Sequence, residues 1–128
     1  MTTSQNVELF SAEAGGVVTV YRFVVRAADD QMDMVAASGG DADGVAAETT
    51  TAAGDELAVV AMKGGTIAKV EAGAAVAKLA TVQSDTSGRA ITHVSGVGEY
   101  RLGKALDAAS AAGEIIRVQI EKSLDEVA

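Results

Sequence analysis

The chain has 128 residues, with 10 basic and 18 acidic side chains, a net charge of −8 and no cysteine. That length suits one domain with a modest core. The scattered basic residues argue against a nucleic-acid backbone as the main partner, and the missing thiols exclude disulfides and thiolate metal sites. Two Phe, two Tyr and no Trp leave little for base stacking and imply a thin core of Ala, Val, Ile and Leu.

Taken in order, Met1 to Asn6 is polar and lacks the basic start of a signal peptide. Val7-Glu8-Leu9-Phe10 is a short apolar patch, read either as an adhesive arm or as a first strand. Ser11 to Gly16 is a turn carrying Gly15-Gly16. Val17 to Arg26 then alternates as a strand apolar on both faces, which places Tyr21 and Phe23 at a subunit contact. This most apolar run is too short to cross a membrane, and no membrane partner is expected.

Gln31 to Val35 reads as a short strand, Ser38 to Gly44 as a Gly/Asp loop, and Gly44-Val45-Ala46 as a return to the sheet. Leu57 to Met62 and Thr66 to Ala72 are strands around a Gly64-Gly65 turn. Val76 to Val82 is a further strand. Asp85-Thr86-Ser87-Gly88 is the sharpest turn signal, since Asp and Ser bond their own backbone and Gly accepts positive φ. Leu102 to Ala112 reads as an extended segment plus a turn. Ile115 to Ile120 is the clearest strand, with Ile116, Val118 and Ile120 on one face. Glu121 to Ala128 reads as a frayed or disordered tail. Short strands at about ten-residue spacing imply a mostly β fold, a small barrel or sandwich of about seven to nine strands joined by Gly-rich turns.

Several pieces gain meaning from their order. They are Gly44-Val45-Ala46, Gly54-Asp55-Glu56-Leu57-Ala58-Val59, Lys63-Gly64-Gly65, Ala72-Gly73-Ala74-Ala75-Val76 and Asp85-Thr86-Ser87-Gly88-Arg89-Ala90. Leu102-Gly103-Lys104-Ala105-Leu106, Ala111-Ala112-Gly113-Glu114 and Ile115 to Ile120 complete the series. This order resembles the capsid cement, or decoration, proteins of tailed bacteriophages, over roughly residues 17–120. Lys78-Leu79 departs from it, standing where many relatives have a Gly-containing turn. The resemblance implies a non-enzymatic virion protein, made in the host cytoplasm. It implies binding to the major capsid protein on the outer surface of the head, as a homotrimer and without a cofactor. The chain then divides into an arm, 1–16, a cement domain, 17–120, and a tail, 121–128. Val7, Leu9 and Phe10 are the candidate capsid-binding residues.

Other chemistries have weaker signals. Ala61-Met62-Lys63 has the acceptor tripeptide of biotinyl carrier domains, but Gly64-Gly65 follows where such domains place a bulky residue. The plainer reading is a hairpin with a solvated lysine. Asp41 and Asp43 lie in an acidic loop that lacks the spacing of a helix-loop-helix calcium site. His93, with Asp85 and Ser95 near in sequence, lacks a nucleophile elbow and reads as a partly buried structural histidine. Gly96-Val97-Gly98 lacks the pattern of a phosphate loop, and Glu99 and Asp107 have only their charge to recommend them as a carboxylate pair.

Overall fold

Side chains alternate inward and outward along most of the strands, and the alternation encloses two interiors rather than one. The computed structural model describes residues 9–96 and 98–124. Among the described residues the chain forms β1 (Leu9–Ala14), β2 (Phe23–Arg26), β3 (Gln31–Met34), β4 (Gly44–Ala46) and β5 (Glu56–Ala61). They continue with β6 (Ile67–Glu71), β7 (Thr81–Ser84), β8 (Ala90–Thr92), β9 (Tyr100–Ala105) and β10 (Ile115–Leu124). The first five close a barrel in the order β1-β3-β2-β4-β5; the second five form a sheet in the order β6-β10-β9-β7-β8. The mostly β expectation holds, with ten strands in two units.

The two units are copies of one plan. A single parallel bridge, Ala72↔Ala90, links the edge strands of the sheet and makes its cyclic order that of the barrel. One constant shift carries Glu13-Ala14-Gly15 onto Glu71-Ala72-Gly73, Val18 onto Val76 and Val24 onto Val82. One extra residue precedes β9, so Gly44 maps onto Gly103, Leu57 onto Ile116 and Val59 onto Val118. The hydrogen bonds repeat with the residues. Ala14 N–H donates to Asp55 C=O as Ala72 N–H does to Glu114 C=O, and Tyr21 N–H donates to Ala46 C=O as Leu79 N–H does to Ala105 C=O. Even the side-chain caps recur: Glu48 accepts the Ala58 N–H, and Asp107 accepts the Arg117 N–H.

Each interior is small and aliphatic. Val18, Val24, Met32, Leu57 and Val59 fill the barrel. Val76, Val82, Ile116 and Val118 sit at the matching places of the sheet. Phe23, Val35, Val45 and Val60 point out of the barrel instead, and they are buried in the same cluster as the sheet's interior. Both units therefore share one apolar joint. Burying Phe23 there contributes roughly 1.5–3 kcal/mol.

Several boundaries differ from those the sequence suggests. Leu9–Ala14 is a barrel strand, paired with β5 from Leu9↔Val60 to Glu13↔Glu56, so these residues belong to the folded body, which does not start at residue 17. Its alternation explains this, since Phe10, Ala12 and Ala14 turn toward the barrel interior. The strand expected from Val17 to Arg26 is confined to Phe23–Arg26, because Tyr21 has a φ of 66° and breaks the extended run. The strand expected from Val76 shrinks to Thr81–Ser84, because Lys78-Leu79 forms a turn with Leu79 at φ 71°. Residues 121–124 belong to β10, which continues past a bulge to pair Leu124 with Tyr100.

Candidate functional site

The joint positions the surfaces that this chain can offer. Arg22 leaves the barrel just before β2 and reaches across. Its Nη2 lies 3.2 Å from Glu71 Oε1, and its Nη1 donates to Ser87 C=O at 3.0 Å. Arg89 approaches the other carboxylate oxygen of Glu71 at 3.6 Å and lies 3.4 Å from Asp85. Asp85 Oδ1 also accepts the Ser87 and Arg89 N–H groups, so the Asp-Thr-Ser-Gly turn is tied into the same network. The backbone closes it: Glu71 N–H donates to Tyr21 C=O, and Phe23 N–H donates to Gly88 C=O. A Cβ at Gly88 would lie 2.8 Å from the Phe23 carbonyl oxygen, so glycine is required there by space as well as by its φ of 78°. Arg22, Glu71 and Arg89 carry no motif in the sequence; their contacts in the fold define this seam.

Beside the joint lies a largely apolar groove of about 280 Å³, lined by Leu9, Tyr21, Val45, Val60 and Ile67, with Lys69 and Arg117 also lining it. Leu9 is 58% exposed and Val94 is 68% exposed, the largest apolar surfaces of the two units with Val17 and Leu79. Phe10 is half-buried against the barrel core. Tyr21 is half-buried and lines the groove. Phe23 is fully enclosed within one chain, so it has no surface for a subunit contact. Its side of β2 faces the second unit, which is the physical reason. Val7 lies outside the described residues.

The side chains considered for chemistry are engaged structurally. Asp41 accepts Lys122 Nζ at 2.9 Å, and Asp43 accepts the Arg26 N–H at 2.8 Å. Among the described residues no cluster of His, Asp and Glu has the makings of a metal site. Asp107 faces Arg117, not Glu99, with Oδ1 2.9 Å from Nη2. The Arg117 guanidinium and backbone N–H hold the Asp107 carboxyl down at about 2. Asp55 is lowered by the Thr51 and Ala52 N–H groups, and Glu114, at the matching turn, by the Ser110 hydroxyl and N–H. His93 is half-buried and donates its N–H to Thr81 C=O, extending the β7–β8 pairing. Lys63 is exposed in the link between β5 and β6, which lie in different sheets, so it is not at the tip of a hairpin. No helix among the described residues is long and apolar enough to cross a membrane.

The profile of the phage cement protein family matches residues 9–120. The chain belongs to the phage cement protein family. This cement protein is therefore a capsid-associated structural phage protein. Its fold is similar to that of the N base of the head fibre gp8.5 of bacteriophage phi29. The TM-score is 0.71 at 21% identity, over 91% of this chain and 95% of that one. Among curated proteins none matches.

Proposed function

We propose that this cement protein binds the outer surface of a phage head, contacts the major capsid protein and stabilises the assembled shell as a homotrimer, without catalysing a reaction. The family match over residues 9–120 carries this reading. The exposed apolar side chains support it: Leu9 and the groove beside it supply buried area once covered, and polar contacts around them fix register. Val7 and Leu9 are the proposed capsid contacts, with Phe10 anchoring β1. Tyr21, at the groove, is the proposed subunit contact. Three copies acting together turn modest contacts into firm attachment. Purified heads that lack the protein test the reading. Added protein is expected to bind at a fixed ratio to capsid subunits and to raise the temperature at which heads release DNA. Heads that neither bind it nor gain stability would refute it.

A further inference from the structure

The joint is a slot filled by a strand-like segment. Tyr21–Phe23 lies between β6 and the β7–β8 turn. Its carbonyl at Tyr21 accepts from Glu71, its N–H at Phe23 donates to Gly88, and Arg22 in the middle meets the Glu71 carboxylate. This insertion leaves only the Ala72↔Ala90 bridge between the sheet's edge strands. The barrel has the same slot by repetition. Glu13 stands for Glu71, Asp29 for Ser87 and Asp30 for Gly88, and Asp30 has the matching φ of 69°. Among the described residues no segment occupies it, and β1 and β3 close over it with two pairs, Glu13↔Gln31 and Ala14↔Met32.

Burial marks the difference. Ala68 and Val70, beside the filled slot, are 3% and 0% exposed. Their counterparts Phe10 and Ala12 are only half-buried. The charge differs too: Glu13, Asp29 and Asp30 are all exposed, Glu13 is matched by the neutral Gln31, 3.0 Å from its carboxylate, and the one guanidinium there, Arg26, donates to the Asp30 carbonyl at 3.1 Å and not to a carboxylate. In the filled slot Arg89 and Arg22 both face Glu71.

We propose that the barrel slot between β1 and the β2–β3 turn docks an extended, arginine-centred segment with apolar flanks, supplied by a different protein. The incoming segment replaces the Glu13↔Gln31 pair, and the Arg26 donor at the Asp30 carbonyl, with its own backbone bonds. Its guanidinium takes the Glu13 carboxylate from Gln31, exchanging a neutral donor for a charged one. A second copy of this chain is a poorer occupant. Its counterpart of Tyr21–Phe23 is Leu79–Thr81, which has the left-handed turn but carries Ala80 in place of the arginine.

A synthetic peptide of residues 18–25 is the probe, titrated into the full chain without heads, so that failure here leaves the head-binding reading untouched. Saturable binding is expected, weakened about tenfold or more by Glu13→Gln in the protein and by alanine for the arginine in the peptide. Hydrogen exchange is expected to slow along β1 on binding. A melting curve establishes that Glu13→Gln remains folded. Absence of saturable binding, or binding indifferent to both substitutions, would overturn the proposal. So would self-association that Leu79→Asp abolishes without any peptide binding, since the occupant would then be a second copy.

Discussion

Tyr21 and Leu79 occupy the same position in the two repeats, and both have a left-handed backbone, at φ 66° and 71°. Each donates its N–H to the strand opposite, Tyr21 to Ala46 and Leu79 to Ala105. A left-handed residue with a Cβ costs roughly 1–2 kcal/mol, and glycine there costs roughly 0.5–1 kcal/mol in chain entropy. The difference predicts opposite outcomes at the two sites. Leu79 is 59% exposed, so Leu79→Gly is expected to stabilise by up to about 1 kcal/mol. Tyr21→Gly gives up the half-buried ring and is expected to destabilise by about 1 kcal/mol or more. Thermal melts of both variants check this, and equal shifts of one sign would count against the shared role.

Arg22→Ala is expected to cost about 1–3 kcal/mol. The Arg22 and Glu71 side chains are only 16% and 19% exposed, so water screens the pair poorly. Removing the arginine leaves Ser87 C=O and part of the Glu71 carboxylate without a donor. Denaturant unfolding at fixed ionic strength measures the loss. Arg26→Ala, whose side chain donates at an exposed turn, is the control and is expected to cost little. Comparable losses in the two variants would show that the joint gains nothing from this network.

Val118→Asp is expected to abolish cooperative folding or lower the melting temperature drastically. Val118 is fully buried, and an unpaired carboxylate there costs several kcal/mol of a total stability near 5–15 kcal/mol. Ile115→Asp, on the exposed face of the same strand, is expected to fold. A folded Val118→Asp and an unfolded Ile115→Asp would reverse the register assigned to β10.

That register was legible because β10 obeys a strict period of two, with Ile116, Val118 and Ile120 buried in turn. The Gly88 turn was equally plain from its residues. The duplication was not legible, because equivalent core positions keep their apolar character but change residue, as Met32 to Ala90 and Leu57 to Ile116. Glu-Ala-Gly and a following valine are a thin signal across so long a shift. The joint was hidden for another reason. Arg22, Glu71 and Arg89 are distant in sequence, and no local pattern announces their meeting. Tyr21 broke the strand expected around it because its carbonyl is claimed by Glu71 and its N–H by Ala46, a tertiary demand that outweighs β propensity.

Acid is expected to weaken the second unit through Asp107. Its carboxyl is held at about 2, below its ordinary 3.8, by the side chain and N–H of Arg117. A carboxyl lowered by folding stabilises the fold above its unfolded value, and that contribution is lost as pH falls through the folded value. Asp107→Asn is therefore expected to melt slightly below the parent at pH 7, with the gap closing between about pH 4 and pH 2. The pair is exposed, so the effect is small. A gap of constant size across that range would assign the loss to something other than the ionised pair.

Truncation separates the barrel strand from whatever precedes it. Removing residues 1–8 spares Leu9–Ala14, so the melting temperature is expected to stay close to that of the full chain. Removing residues 1–14 takes away β1, and β5 loses its partner along Leu9 to Glu13. Leu57 and Val59 then lose the strand that closes their side of the interior, and cooperative unfolding is expected to disappear. Leu9→Asp lies between these two changes. Its side chain is mostly in water and faces away from the barrel core, so folding is expected to survive. Attachment is where it acts: under the proposed head-binding role, a carboxylate in the apolar contact loses both buried area and pairing. Head co-sedimentation is expected to fall for Leu9→Asp and for the shorter truncation, which removes Val7, while both melt like the parent. Full co-sedimentation of both variants would move the docking surface away from this end of β1, and unfolding of Leu9→Asp would make Leu9 a core residue.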